Sequence, residues 1–326
     1  MKAVICRSIR DEPDLIVGEF ARPELKPGTM IIRAFAGGLN FADSLAVKGR
    51  YQDKREPPFV VGSEVAGEVV EAGEGAAFQP GERVMGMAET GAFAEYARLG
   101  SWGAARIPDD MPMNEAAAFF ANYGTAYCAL TQRARLAPGE RVVILGAASG
   151  VGFAALQIAK AQGAEVVACS RDEEKRKVTL DHGADYALDH TAEDFVATMK
   201  ALGDGRGADI VLDMVGGDAT RAALRYIARL GRLVIIGFAS GTIPQIPANY
   251  LLLKNCSAVG LFYGDYFRND PDGQRAAFDA MFDMYAKGLL RPLVSEVIPL
   301  EAVPDAIARS AEGKVVGKIV VEIGSA

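Results

Sequence analysis

A short glycine-rich run, Gly146-Ala147-Ala148-Ser149-Gly150-Val151-Gly152, constrains this chain more than any other stretch. The apolar segment 141–145 precedes it, and residues 153–161 follow at helical spacing. Strand, glycine turn and helix in that order form a phosphate cradle. The glycines let the backbone approach a pyrophosphate, and the helix N-terminus offers free N–H groups and a positive dipole. That context turns a weak pattern into a predicted dinucleotide site, with Ala148, Ser149, Gly150 and Val151 in the turn.

A chain of 326 residues is too long for one small core, so two domains are expected. Half of the residues are apolar, which suits a compact globular protein. The net charge of −7 repels phosphate backbones and disfavours nucleic acid as a partner. Cys6, Cys128, Cys169 and Cys256 are scattered, without a Cys-x-x-Cys pair. They form neither a disulfide framework nor a zinc cluster, and reduced thiols fit a cytoplasmic location. The N-terminal run 1–7 reads as a strand, too short for a signal peptide. No stretch has the ~18 consecutive apolar residues that would span a bilayer.

Residues 1–100 carry short β-type runs broken by Gly and Pro, the pattern of an irregular barrel. From about Asn114, read as a helix cap, the pattern changes. A helix is expected over 123–134. Strands and helices then alternate through 142–145, 153–162, 165–168, 172–182, 210–215, 219–229 and 233–237. Such alternation predicts a parallel, doubly wound α/β sheet. The tail has a helical stretch near 273–287 and a final strand within 315–323, returning to the N-terminal domain or lying at the cleft. The expected division is 1–120, completed by 265–326, against a nucleotide domain of 121–264.

Several segments together carry a family resemblance. They are Gly38–Asp43, Pro58–Gly67, Pro80–Val84, Tyr123–Tyr127, the glycine turn, Gly183–Asp185 and Gly237–Gly241. Weak singly, in this order they are specific. The chain resembles the medium-chain dehydrogenase/reductase superfamily, in its zinc-free quinone oxidoreductase branch. The resemblance implies a GroES-like β-barrel fused to a Rossmann domain, with the active site in the cleft between them.

One departure selects the branch. Where zinc alcohol dehydrogenases of the superfamily carry Gly-His-Glu, this chain has Gly62-Ser63-Glu64. Its two histidines, His182 and His190, both fall in the nucleotide domain. A catalytic metal set is therefore not expected. Oxidising an alcohol calls for stabilisation of an alkoxide, the usual task of zinc. A quinone or enone is already electrophilic and accepts a hydride given positioning and hydrogen bonds.

The second strand of the nucleotide domain sets the cofactor. An NAD site places an acid about 20 residues after the glycine turn. Here the strand end carries Ser170 and Arg171, groups suited to a 2′-phosphate. Lys175 lies one helical turn on, where the family often has a phosphate-binding Lys. Asp172 is the competing ribose acid. However, Ser170–Glu173 matches a capping box, and acids belong in a first helical turn. NADPH is therefore preferred over NADH.

Other positions have two readings each. Thr125 matches a family position near the nicotinamide, or is a helix N-terminal Thr. His190 lies near the adenosine by analogy, or is an exposed residue at a strand end. Val215 touches the nucleotide by analogy, or is core. Phe238 and Ser240 end the fifth strand, where ligands of such sheets bind. Leu261, Phe262 and Tyr263 would flank the nicotinamide, with Phe262 and Tyr263 otherwise interface aromatics. Lys318 has a family counterpart near the cofactor, or is an ordinary exposed Lys.

For chemistry, Asn40 matches the family's Asn-Phe motif beside the nicotinamide ribose and substrate. Its alternative role is a cap or turn. Tyr51 is a candidate proton donor or substrate ligand, against simple packing. Leu45 and Val47 replace a Tyr and an Arg found in many relatives, suggesting a more apolar pocket. The segment Tyr250–Gly260 reads as the sixth strand with its lead-in. An apolar edge strand needs cover, and in the family it pairs with its twin, so a homodimer is expected. The leading reading is an NADPH-dependent quinone reductase, with no nucleic-acid or membrane partner. An enone or enoyl reductase is the alternative, as is a non-catalytic NADPH-binding protein.

Overall fold

A computed structural model describes residues 1–202 and 205–324, with the side chain of Phe267 excluded. Two units emerge. The first takes Met1–Ala121, Phe267–Phe278 and Pro292–Ala326; the second takes Asn122–Tyr266 and Asp279–Arg291. Residues 279–291 thus group with the nucleotide unit, a correction to the expectation that all of 265–326 completes the first. The reason lies in the helix Pro271–Ala286, whose two halves belong to different units.

The first unit begins with β1 (Lys2–Ser8), β2 (Asp14–Glu19), β3 (Thr29–Gly38), α1 (Phe41–Ala46), β4 (Phe59–Val60), β5 (Glu64–Ala72), β6 (Arg83–Ala88), β7 (Tyr96–Arg106) and α2 (Met113–Ala116). Pro112, not Asn114, is the N-cap of α2, which takes Asn114 into the helix. The second unit contains α3 (Phe120–Tyr127, begun in the first), a π-helical turn Cys128–Arg133, β8 (Arg141–Leu145), α4 (Gly150–Ala161), β9 (Glu165–Cys169), α5 (Glu173–Asp181), β10 (Tyr186–Leu188), α6 (Phe195–Ala201), β11 (Ala208–Asp213), α7 (Gly217–Tyr226), β12 (Ile227–Ile235), α8 (Ala248–Lys254) and β13 (Ser257–Gly260), and the next helices, α9 (Tyr263–Asn269) and α10 (Pro271–Ala286), are each divided between the two units. The chain then returns to the first unit with β14 (Val294–Pro299), α11 (Val303–Ala311) and β15 (Lys318–Glu322).

In the first unit a six-stranded sheet runs β14-β15-β3-β5-β6-β7, and β3 also pairs with β7. This closure makes the barrel and protects its edges. Met30, Ile32, Val65, Val84, Phe93, Leu99 and Val321 fill it. The final strand joins through Val320–Glu322 against Gly38–Ala36. Gly62 has φ +92, and a Cβ there would lie 2.8 Å from the Phe93 ring. Only glycine fits both demands, and this tight turn leads through Ser63 to Glu64, the first residue of β5.

The second unit's sheet has the order β10-β9-β8-β11-β12-β13, all parallel. This is the doubly wound arrangement, with the order reversing between β8 and β11. All five residues of β8 are buried, as a central parallel strand requires. Val143, Val167, Val211, Leu224, Tyr226 and Leu233 form the core on one side. Two boundaries differ from expectation. β12 starts at Ile227, which ends α7 early, and the lead-in to β13 is helix α8, terminated by Asn255 in the left-handed region.

Candidate functional site

Strand register aligns Leu188, Cys169, Leu145, Asp213, Ile235 and Gly260 across the C-terminal end of the parallel sheet. The segments after those residues hold most of the sequence candidates: 146–152, 170–175, His190, Val215, Phe238, Ser240 and 261–263. Ligands of open α/β sheets bind there, at the point of strand-order reversal.

The glycine turn is built as the sequence implies. Ser149 is the N-cap of α4, its Oγ accepting the Gly152 N–H at 3.2 Å. A Cβ on Gly152 would lie 2.3 Å from the Gly146 carbonyl oxygen, so turn and helix close on each other only through glycine. Ala148 is buried and Val151 half-buried. Asn122, buried in α3, sets its amide against Gly150, where a Cβ would lie 2.4 Å away.

At the end of β9, Ser170 is buried and Arg171 exposed. The expected capping box is wrong by two residues. Asp172 caps α5, its Oδ1 accepting the Lys175 N–H at 3.0 Å, while Ser170 Oγ takes the Asp172 N–H at 3.3 Å. Asp172 thereby has a structural use of its carboxylate, with Glu173 and Glu174 in the first turn. Lys175 is half-buried, and burial lowers its ammonium pKa.

His190 is half-buried rather than exposed, and its Nδ1 is buried without a hydrogen-bond partner among the described residues. Burial lowers its pKa; Asp189 acts against that and Arg171 with it. Such an orphaned polar atom, near Arg171 and just past the end of β10, fits a ligand that brings its own hydrogen-bonding groups. Asp213, fully buried, holds the next loop: its Oδ1 accepts from Val215 N at 2.9 Å and Gly216 N at 2.8 Å, and its Oδ2 from the Thr220 hydroxyl. Ser240 N donates to the Val215 carbonyl at 2.8 Å, tying the β11 and β12 loops together. Phe238 is half-buried, Leu261 buried and Phe262 49% exposed. Tyr263 is buried and rests on Gly124, where any Cβ would strike its phenol. Thr125 lies one residue on in α3, within the helix and not at its N-terminus.

The first unit carries a second cluster. Glu64 is fully buried. Its Oε1 accepts the Ala121 N–H at 2.8 Å, and its Oε2 accepts from Lys318 Nζ at 2.6 Å and Asn40 Nδ2 at 3.1 Å. Lys318 also donates to Asn40 Oδ1 at 2.7 Å. At 3% exposure it is no ordinary surface lysine. Asn40 stands at the N-cap of α1, its backbone N–H donating to Asp43 Oδ2 at 2.8 Å. Ser63 donates to Asp43 Oδ1 at 2.9 Å. Burial raises the pKa of Asp43, opposed by its bonds to Asn40 and Ser63 and by the charges of Lys318 and Arg55. Tyr51 is half-buried in the following loop. Burial raises its phenol pKa, with Asp43 and Asp53 adding to the effect. The phenol therefore stays protonated well above neutral pH. Val47 is fully buried in the barrel core and so lines no pocket, while Leu45 is half-buried.

The donor set around Ser63 does not fit a catalytic zinc. Its hydroxyl is used on Asp43, and the Glu64 carboxylate already carries the Lys318 ammonium. A metal ion would face a fixed positive charge and hard oxygen donors alone.

Glu64 and Asp213 are the buried, hydrogen-bonded acids of these two clusters that sequence reading passed over. A signal was present in both: an acid in an apolar run, Val60–Val65 and Ile210–Leu212, must be buried and therefore partnered.

Comparison with known proteins agrees with this architecture. Residues 26–109 match the alcohol dehydrogenase GroES-like domain, and residues 150–285 match the zinc-binding dehydrogenase family model. A quinone oxidoreductase-like protein 2 homolog from Nematostella vectensis is 37% identical over 324 residues, 98% of this chain and 88% of that protein. A mycobacterial protein solved in complex with NADPH superposes with a TM-score of 0.92 at 29% identity, covering 99% of each chain. The quinone oxidoreductase of Pseudomonas syringae superposes with a TM-score of 0.90 at 28% identity, covering 98% of this chain and 99% of that one. The chain belongs to the medium-chain dehydrogenase/reductase superfamily, in its quinone oxidoreductase branch.

Proposed function

We propose that this protein is an NADPH-dependent reductase that delivers a hydride to a quinone without a metal. The Asn40–Glu64–Lys318 cluster carries this reading. It provides a buried, hydrogen-bonded site with its own cation in place of metal ligands. Such a site suits an acceptor that is electrophilic before it binds. The quinone oxidoreductase-like relative and the NADPH complex of the mycobacterial neighbour support both parts.

Bound NADPH supplies the hydride. The glycine turn, residues 148–151, would hold its pyrophosphate. Ser170, Arg171 and Lys175 would take the 2′-phosphate, a task for cations and hydroxyls. His190 and Val215 would meet the adenosine half. Thr125, Phe238, Ser240, Leu261, Phe262, Tyr263 and Lys318 would border the nicotinamide half. Asn40 orients the reacting groups. Tyr51, kept protonated by burial, donates a hydrogen bond to the oxygen on which charge develops.

We further infer a homodimer through the outer edge of β13, the last strand of the sheet. Leu252 and Leu253 on the preceding helix are 77% and 75% exposed, more apolar surface than a lone edge leaves to water. The four buried cysteines, none in a disulfide among the described residues, suit a reducing, cytoplasmic setting. Among the described residues no helix is long and apolar enough to cross a membrane.

The test is NADPH oxidation by the purified protein, beside NADH, with 1,4-benzoquinone, a 1,2-quinone and a simple enone. NADPH-selective turnover of a quinone is expected. Preference for the enone would make the protein an enone reductase. Tight NADPH binding with no turnover of any acceptor would make it a binding protein. Light scattering on the same sample reads the dimer, and Leu252→Glu should shift it toward monomer.

A further inference from the structure

We propose that Lys318 and Glu64 are positioning residues that lock the side-chain amide of Asn40 in one orientation. An asparagine amide has two nearly isosteric orientations, which exchange an acceptor oxygen for an NH₂ donor. Lys318 can only donate, and at 2.7 Å it requires Oδ1 to face it. The Glu64 carboxylate can only accept, and at 3.1 Å it requires Nδ2. Reversal would set NH₂ against an ammonium and oxygen against a carboxylate. Gly38 O accepts from Nδ2 at 3.2 Å and agrees with both.

One consequence concerns what Asn40 offers a ligand. Both Nδ2 protons are committed, to Glu64 Oε2 and Gly38 O. Oδ1 accepts from Lys318 Nζ and faces the Asp43 backbone N–H in the capping box of α1, which favours the same orientation. Asn40 therefore offers no uncommitted donor to an oxyanion. Donation to a developing oxyanion falls to another group, in this protein Tyr51. The lock depends on the last strand of the chain, because Lys318 opens β15 two residues before Val320 pairs with Gly38 of β3.

This inference rests on the reading of Asn40 as part of the reacting site, so its test includes a measurement that needs no turnover. The protein has six asparagines, and selective ¹⁵N-Asn labelling isolates six side-chain amide pairs. Asn40→Ala assigns the relevant one. In the unaltered protein that pair should exchange slowly with water. In Glu64→Gln/Lys318→Met, which removes both charges and keeps an acceptor for Ala121, exchange should quicken at least tenfold. With a working acceptor, kcat should fall at least tenfold at little change in KM. The same double change in an Asn40→Ala background should add less than twofold. Unchanged amide protection, or effects that multiply with Asn40→Ala, would overturn the proposal. If the double variant does not fold, Lys318→Met alone is read in the same way. If no acceptor is turned over, the functional reading fails while amide exchange still decides the lock.

Discussion

Lys318 Nζ lies 2.6 Å from Glu64 Oε2, an ion pair between residues 254 positions apart, with side chains only 4% and 0% exposed. Removing one partner leaves the other charged and uncompensated in the barrel. Glu64→Leu should therefore cost about 3–5 kcal/mol of stability. Urea unfolding measures it, and a loss below about 1 kcal/mol would mean that the ammonium finds water.

In the proposed nucleotide site the cofactor's 2′-phosphate meets Arg171 and Lys175. Replacing either with alanine should weaken NADPH at least tenfold, about 1.4 kcal/mol or more, and leave NADH almost unchanged. Fluorescence titration with both nucleotides separates the outcomes. A parallel loss for NADH would assign the two cations to the common pyrophosphate.

Asp172 is an N-cap in this structure. Asp172→Ala should cost about 1 kcal/mol of stability and leave the nucleotide preference where it was. A selective loss of NADH affinity would make Asp172 a ribose ligand instead.

Stability should also report His190. Its folded pKa is lowered by burial, while the unfolded chain titrates near the ordinary value of about 6.5. Below that value the unfolded state binds the extra proton. The contribution of His190 is thus present above pH ~6.5 and lost as pH falls below it. His190→Gln should flatten the pH dependence between about pH 5 and 7. An unchanged slope would show that other groups set it.

The doubly wound sheet was readable from strand–turn–helix alternation alone, because each of its parts is local: β8, the turn and α4 span only 141–161. Helix ends were less readable. Asp172 and Ser170 both have capping side chains, and which one caps depends on where β9 releases the backbone. The lead-in to β13 carries no helix signal because apolar Leu251–Leu253 has no periodicity to mark one.

The sequence by itself determined the nucleotide half, since a phosphate cradle needs glycines and a helix start within a few residues of each other. It also determined that a zinc histidine is missing at Ser63. Only the tertiary structure decided what stands at that place. Lys318 read equally well as a surface residue until β15 paired with β3 and carried it beside Glu64 and Asn40. Pairing between distant strands follows from barrel closure and burial over the whole first unit, and no local pattern encodes it.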